Sequence, residues 1–268
     1  MGTIATSAPE GEVPAPKSFF ARFAGVFYAP GETFQDIARS PDFLAPLITM
    51  IVLSVASTET MLAKIGMARI VRQALEQSGR AEKMSPEQMQ QALDQGVRIA
   101  GIFTHFVGVV LAPVFILLVA LVGLLFTNAF FGAQVRFKTS LAVASYAYLM
   151  RALGLVMGLA LIFFGDPEHF NAQVPIPSNA AYFLNPNDVS KVLYAVANSF
   201  DIFTFWLMIL LGIGYSEATG RKVKALTLFL CFFGIWILLL LGRVGLALLS
   251  FRGRRQNGWP RRSSGVPV

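Results

Sequence analysis

The stretch IFTHFVGVVLAPVFILLVALVGLLFTNAF, residues 102–130, decides the fold. It holds no Asp, Glu, Lys or Arg, and it exceeds the roughly 20 helical residues that a bilayer core demands. Four more apolar stretches lie around it, at about 43–62, 141–164, 193–215 and 225–250. In lipid every backbone N–H and C=O must be satisfied within the segment, so each stretch is expected to be helical. The expected fold class is all-α: an integral membrane bundle of five transmembrane helices with an N-terminal interfacial amphipathic helix.

Composition agrees. Of 268 residues, 55% are hydrophobic and only 14% charged, against about a quarter charged in soluble domains. Mean hydropathy is +0.60. The net charge of +7 sits in loops beside apolar segments, where Lys and Arg set topology and meet anionic headgroups. No basic, aromatic-interleaved soluble domain is present, so nucleic acid is not an expected partner. Cys231, the single cysteine, stands in an apolar run and can form neither an intrachain disulfide nor a zinc cluster.

Residues 1–16 read as a Pro-rich disordered tail without a secretory signal pattern, leaving the first span to act as its own insertion signal. Residues 17–28 (KSFFARFAGVFY) place Phe19, Phe20, Phe23 and Phe27 on one helical stripe with Lys17 and Arg22 to the side. Such a helix is too short to span and suits the headgroup layer. Residues 17–250 form one membrane domain. Within it, Ser85-Pro86-Glu87-Gln88 reads as a helix start, with Ser as N-cap, Pro at the first position and Gln three after the cap. That helix is expected to run into the second span, where Pro113 is a kink candidate. Residues 251–268 read as a basic disordered tail.

Two short loops carry Arg136 and Lys138, then Arg221, Lys222 and Lys224, whereas the loop after the third span carries Asp166, Glu168 and Asp188. The positive-inside rule puts the short loops in the cytoplasm and the N-terminus with them. The segment 63–98 and the tail, rich in Lys and Arg, count the other way.

Glu59, Arg151, Asp201 and Arg243 lie within the spans. A charge at depth is expected to have a partner or a polar cavity. At about 1.5 Å per residue, Arg151 and Asp201 lie roughly 15 and 21 Å from the basic-loop side, Glu59 and Arg243 roughly 24 and 27 Å. The expected pairs are Arg151–Asp201 and, more loosely, Glu59–Arg243. They would lock helices together, line a polar path, or snorkel to an interface. Gly154 and Gly158 make a small-xxx-small spacing that permits close helix approach. His105 reads as packed or interfacial, and Tyr146 and Tyr148 as interfacial caps. No phosphate loop, nucleophile elbow, metal-binding helix or dinucleotide fingerprint is present, so no enzyme and no cofactor are expected.

Three segments carry a family resemblance: FYAPGETFQDIARSPDFLAPLI (27–48), VRFKTSLAVASYAYLM (135–150) and NSFDIFTFWLMILLGIGYSEATGRKVKAL (198–226). With them the chain resembles the Yip1-domain family, in its prokaryotic branch, over about residues 20–250. Prokaryotic members often show Pro shortly after the Tyr-Ala pair; here Leu149 and Met150 stand instead. The resemblance implies five spans, a cytoplasmic N-terminus, a multi-pass place in the bacterial inner membrane and a non-enzymatic role in membrane organisation or membrane-protein assembly. Partners would be the lipid bilayer and other membrane proteins or further copies of the chain. The Asp-Leu-Tyr-Gly-Pro signature of eukaryotic members is absent, so binding to Rab-type GTPases is not carried over. The alternative is a small permease, channel or lipid-handling transporter built on Arg151 and Asp201.

Overall fold

The computed structural model describes residues 15–77, 81, 84–165, 176–185 and 188–256. Residues 1–14 and 257–268 of the expected tails lie outside these, as do Asp166, Glu168 and His169. The described chain is helical, and its one β-feature is an isolated bridge between Asn179 and Asp201.

Two short helices open the chain, α1 (Phe19–Tyr28) and α2 (Pro30–Arg39). Ser18 caps α1 by accepting from Ala21 N–H, and Pro30 starts α2 at a position where a missing N–H costs nothing. The two fold into a hairpin because Gly25 lets the Thr33 side chain approach its backbone directly. α2 buries Phe34 and Ile37 completely against two later helices, Phe137–Tyr148 and Ile202–Ala218. The expected phenylalanine stripe divides. Phe19, Phe23 and Phe27, at i, i+4 and i+8, pack on the core, whereas Phe20 is 79% exposed beside Tyr28 at 76%. Arg22 is not at the side of this helix but 3% exposed, with Nε 2.8 Å from Asp36 Oδ2. The acidic partner on α2 is what allows a guanidinium to turn inward there.

The long helices follow. α3 (Leu44–Ile65) leads through Gly66, in the left-handed region at φ 83°, into α4 (Met67–Gln77). α5 (Pro86–Leu124) starts on a full capping box: Ser85 accepts from Gln88 N–H, and Gln88 Oε1 accepts from Ser85 N–H at 3.0 Å. It ends in a π-helical turn, Leu125–Phe130. Asn128 then accepts from Val135 N–H at 2.8 Å and donates to Val135 C=O at 2.9 Å, closing the first basic loop. The third leg is α6 (Phe137–Tyr148) and α7 (Met150–Phe164), joined at Leu149, whose N–H reaches Tyr146 C=O three residues back. α8 (Lys191–Ala197) and α9 (Ile202–Ala218) form the fourth leg, and α10 (Ala225–Gln256) the fifth.

Four of these legs are long and apolar enough to cross a bilayer: Leu44–Ile65, Phe103–Phe130, Phe137–Phe164 and Ala225–Leu248. The fifth apolar stretch is not one helix from 193 to 215. It breaks at residues 198–201, leaving α9 with 17 residues, or about 25 Å. α8 lies against α10 and continues that leg. The helix begun at Ala225 passes residue 250 and ends at Gln256, later than the composition of the tail suggests. The exterior is as apolar as the interior: Leu118, Leu239 and Leu241 are 50, 63 and 60% exposed. A belt of that kind would aggregate in water and matches lipid tails.

The tight core sits at the end that carries the two short basic loops. α6 contributes small residues there, Ser140, Ala142, Ala144, Ser145 and Ala147, which let backbones close up. Gly212 lies so near α10 that an added Cβ would stand 2.7 Å from Ala225 C=O. Gly214 likewise faces Phe34 and Val143, the Phe34 Cδ1 at 2.9 Å from such a Cβ. Tyr146, expected at an interface, is fully buried in this core, with the Arg22 guanidinium 5.9 Å from its ring centre.

Candidate functional site

The opposite half of the bundle is built around a cleft of about 850 Å³. Its polar end is made by the break in the fourth leg. Asp201 has extended backbone and N-caps α9, accepting from Thr204 N–H at 3.1 Å and Thr204 Oγ1 at 2.8 Å. Its other oxygen accepts from Ser178 Oγ at 2.8 Å. The bridge to the 176–185 segment is completed by Ala180 N–H to Phe200 C=O and Ile202 N–H to Ser178 C=O. Asn179 adds a side-chain bond to Asn198 C=O at 2.9 Å. A polar knot thus closes the break and presents Asp201 to the cleft.

Two guanidinium groups face this knot. Arg151, on α7 two residues past the Leu149 joint, has Nη1 3.8 Å from Asp201 Oδ2 and 3.4 Å from Thr204 Oγ1. The first distance is an ion pair beyond hydrogen-bond reach, and the second lies at its limit. Arg243 of α10 donates from Nη1 to Ser199 Oγ at 3.2 Å. Trp236, two turns earlier, donates to Ser199 C=O at 3.2 Å. The remaining walls are mostly apolar, with Met50 of α3, Leu111 and Phe115 of α5 and Leu155 of α7 among them, interrupted by the hydroxyls of Ser54, Thr58 and Thr104.

Glu59 and Arg243 are not brought together. Glu59 Oε1 lies 2.6 Å from His105 Nδ1, both half exposed. The reason is azimuth. α3 packs against α5 and α7, whereas α10 packs against α9 and α8, so equal depth does not make Glu59 and Arg243 neighbours. Matching formal charges by depth passes over His105, although Glu59 and His105 both stand toward the same end of the adjoining helices α3 and α5. Gly154 does take a close approach: an added Cβ would stand 3.2 Å from Ile176 Cδ1 and 3.3 Å from Phe203 Cδ2. Gly158 meets only Ile176, at an ordinary 3.7 Å. Among the described residues no group of three or more His, Cys, Asp or Glu could hold a metal ion.

The family model described as the Yip1 domain matches residues 24–244. No curated protein and no solved structure matches the chain.

Proposed function

Since the chain belongs to the Yip1 domain family and is a multi-pass integral membrane protein, we propose that it is a non-enzymatic membrane organiser. Its α1–α2 hairpin is the face that meets other membrane proteins or further copies. What supports this reading is the docking of the hairpin. Arg22–Asp36, Phe34 and Ile37 hold it rigidly on the bundle end, while Phe20 and Tyr28 remain outward. Exposed aromatics on a rigid support are the usual energetic anchors of an interface. A photo-crosslinker placed at position 20 in cells is expected to give discrete protein adducts. Tyr28→Ala, which removes no core contact, should weaken them several-fold. Adducts to lipid alone would refute the organiser.

The same hairpin bears on orientation. It sits at the end with Arg136, Lys138, Arg221, Lys222 and Lys224, and we place that end in the cytoplasm of a bacterial inner membrane. In a Cys231→Ala background, Lys222→Cys should resist an impermeant maleimide in intact cells and react after permeabilisation. Gln91→Cys, on the exposed polar part of α5, should react in both. The reverse pattern would invert the topology.

A second reading has its own observation. The cleft with Arg151, Asp201 and Arg243 favours a lipid-handling or permease role over a purely structural bundle. Ionisable side chains within spanning helices are expensive and mark pathways or binding cavities.

A further inference from the structure

We infer that the cleft is a seat for an acidic phospholipid of the leaflet far from the short basic loops. Its phosphate is held between Arg151 and Arg243, and its acyl chains lie along α3 and α5. This deepens the lipid-handling reading by naming the class of ligand, and it rests on that reading for its biological role but not for its chemistry.

Charge is the first argument. The polar end holds two guanidinium groups and one carboxylate, and that carboxylate is already served by Ser178 Oγ, Thr204 N–H and Thr204 Oγ1. Asp201 therefore has little left to offer Arg151, which stands off at 3.8 Å. Arg243 has a single neutral acceptor, Ser199 Oγ, and no acidic partner among the described residues. Each guanidinium carries five N–H donors. An anion with several oxygens supplies what the described protein does not, and phosphate takes paired N–H donors from Arg especially well.

Depth is the second argument. Arg151 lies 14 residues into the third leg from Phe137, and Arg243 18 residues into α10 from Ala225. These counts place Arg243 about 27 Å from the basic-loop end, near the far headgroup level of a core roughly 30 Å thick, and Arg151 about 21 Å from it, roughly 9 Å inside that level. Met50, by contrast, lies six residues into α3, about 9 Å from that same end, and it too lines the cleft. The cleft therefore runs from a cationic end in the far half of the membrane to an apolar floor about 9 Å from the basic-loop end. That order matches a phospholipid entered head outward. A small soluble anion would satisfy the mouth and leave the apolar walls uncovered.

The test uses the full chain in detergent, examined by native mass spectrometry with phosphatidylglycerol or phosphatidylcholine added. Phosphatidylglycerol should be retained about tenfold better: both lipids carry the same phosphate diester, but phosphatidylcholine brings a trimethylammonium that the two guanidinium groups repel. Arg151→Gln and Arg243→Gln should each remove most of that preference, and the Lys variants should restore part of it. Equal retention of the two lipids by the monodisperse wild-type protein would overturn the seat. So would a preference untouched by both Gln variants. Displacement by sn-glycerol 3-phosphate at concentrations equal to the lipid would assign the site to a soluble phosphate ester, and would also overturn it. Lipid movement between leaflets of liposomes is measured separately, with Asp201→Asn as control, because Asn keeps the N-cap and removes the charge. A phosphatidylglycerol preference without lipid movement would end the lipid-handling reading and leave the seat standing. Movement without a preference would do the opposite.

Discussion

Asp36→Ala is expected to loosen the N-terminal hairpin from the bundle and to cost about 3–5 kcal/mol, the scale of a broken buried ion pair. Arg22 is 3% exposed and its partner side chain 16%, so solvent screens the pair little. Removing the carboxylate strands a guanidinium among Tyr146 and the phenylalanines of α1. It also removes the acceptor that holds Lys17 N–H at 3.2 Å. The loss is therefore one of uncompensated charge more than of attraction. A combined change tests that distinction: Arg22→Met with Asp36→Leu should recover most of the stability lost by Asp36→Ala, because a well-packed apolar pair avoids the desolvation cost. Thermal unfolding in detergent, with proteolytic nicking between α2 and α3 as a local readout, measures both. A melting point for Asp36→Ala within a degree of wild type would show that the pair does not secure the hairpin.

Gly123→Val is expected to be at least as damaging. Any Cβ at position 123 falls inside the Tyr215 ring, with Cζ and Oη the nearest atoms. The ring has no room to retreat. Tyr215 is fully buried, its hydroxyl lies 2.8 Å from Ser140 Oγ, and Ser140 Oγ in turn donates to Ala120 C=O at 2.7 Å. On the far face the ring stacks on Phe232, with centroids 5.7 Å apart. Helix propensity favours Ala over Gly by about 1 kcal/mol. Overpacking costs about 1–3 kcal/mol and sometimes more, and displacing the hydroxyl leaves buried polar groups unpaired for another 1–3 kcal/mol. The clash wins for Ala and more clearly for Val. Tyr215→Phe, which keeps the ring and removes only the hydrogen bonds, should cost about 1 kcal/mol. Gly123→Ala matching wild type in melting temperature and detergent elution would show that α5 and α9 do not meet as described.

The fold class was legible because hydropathy and length are one-dimensional quantities that lipid reads directly. The Ser85 helix start was legible for a similar reason, since a capping box is local in sequence. Azimuth was not legible. Nothing in the spacing of Phe19, Phe20, Phe23 and Phe27 says that α2 will arrive beside them and turn three of the four inward. Depth counting set Arg151 near Asp201 in height, and it set Glu59 near Arg243 by the same arithmetic. The helices brought the first two within 3.8 Å and gave Glu59 to His105 instead. The break before α9 was hidden by its own composition, because the residues around it are apolar enough to read as one span. Asn198, Ser199 and Asp201 together were the available signal: three residues that prefer turns and N-caps within four positions.

The joint at Leu149 divides the third leg into two parts with different surroundings. Up to Tyr148 the leg is clamped by small-residue contacts; from Met150 one side of it stays buried, at Met150, Ala152 and Ile162, while Arg151, Gly154 and Leu155 border the cleft. A three-residue backbone bond at that point is a tighter turn than the helix on either side. Because Arg151 follows the joint by only two positions, the way that turn joins the two helices sets the direction from which its guanidinium enters the cleft. The aim of a charge in the hollow half is thus fixed by packing in the dense one.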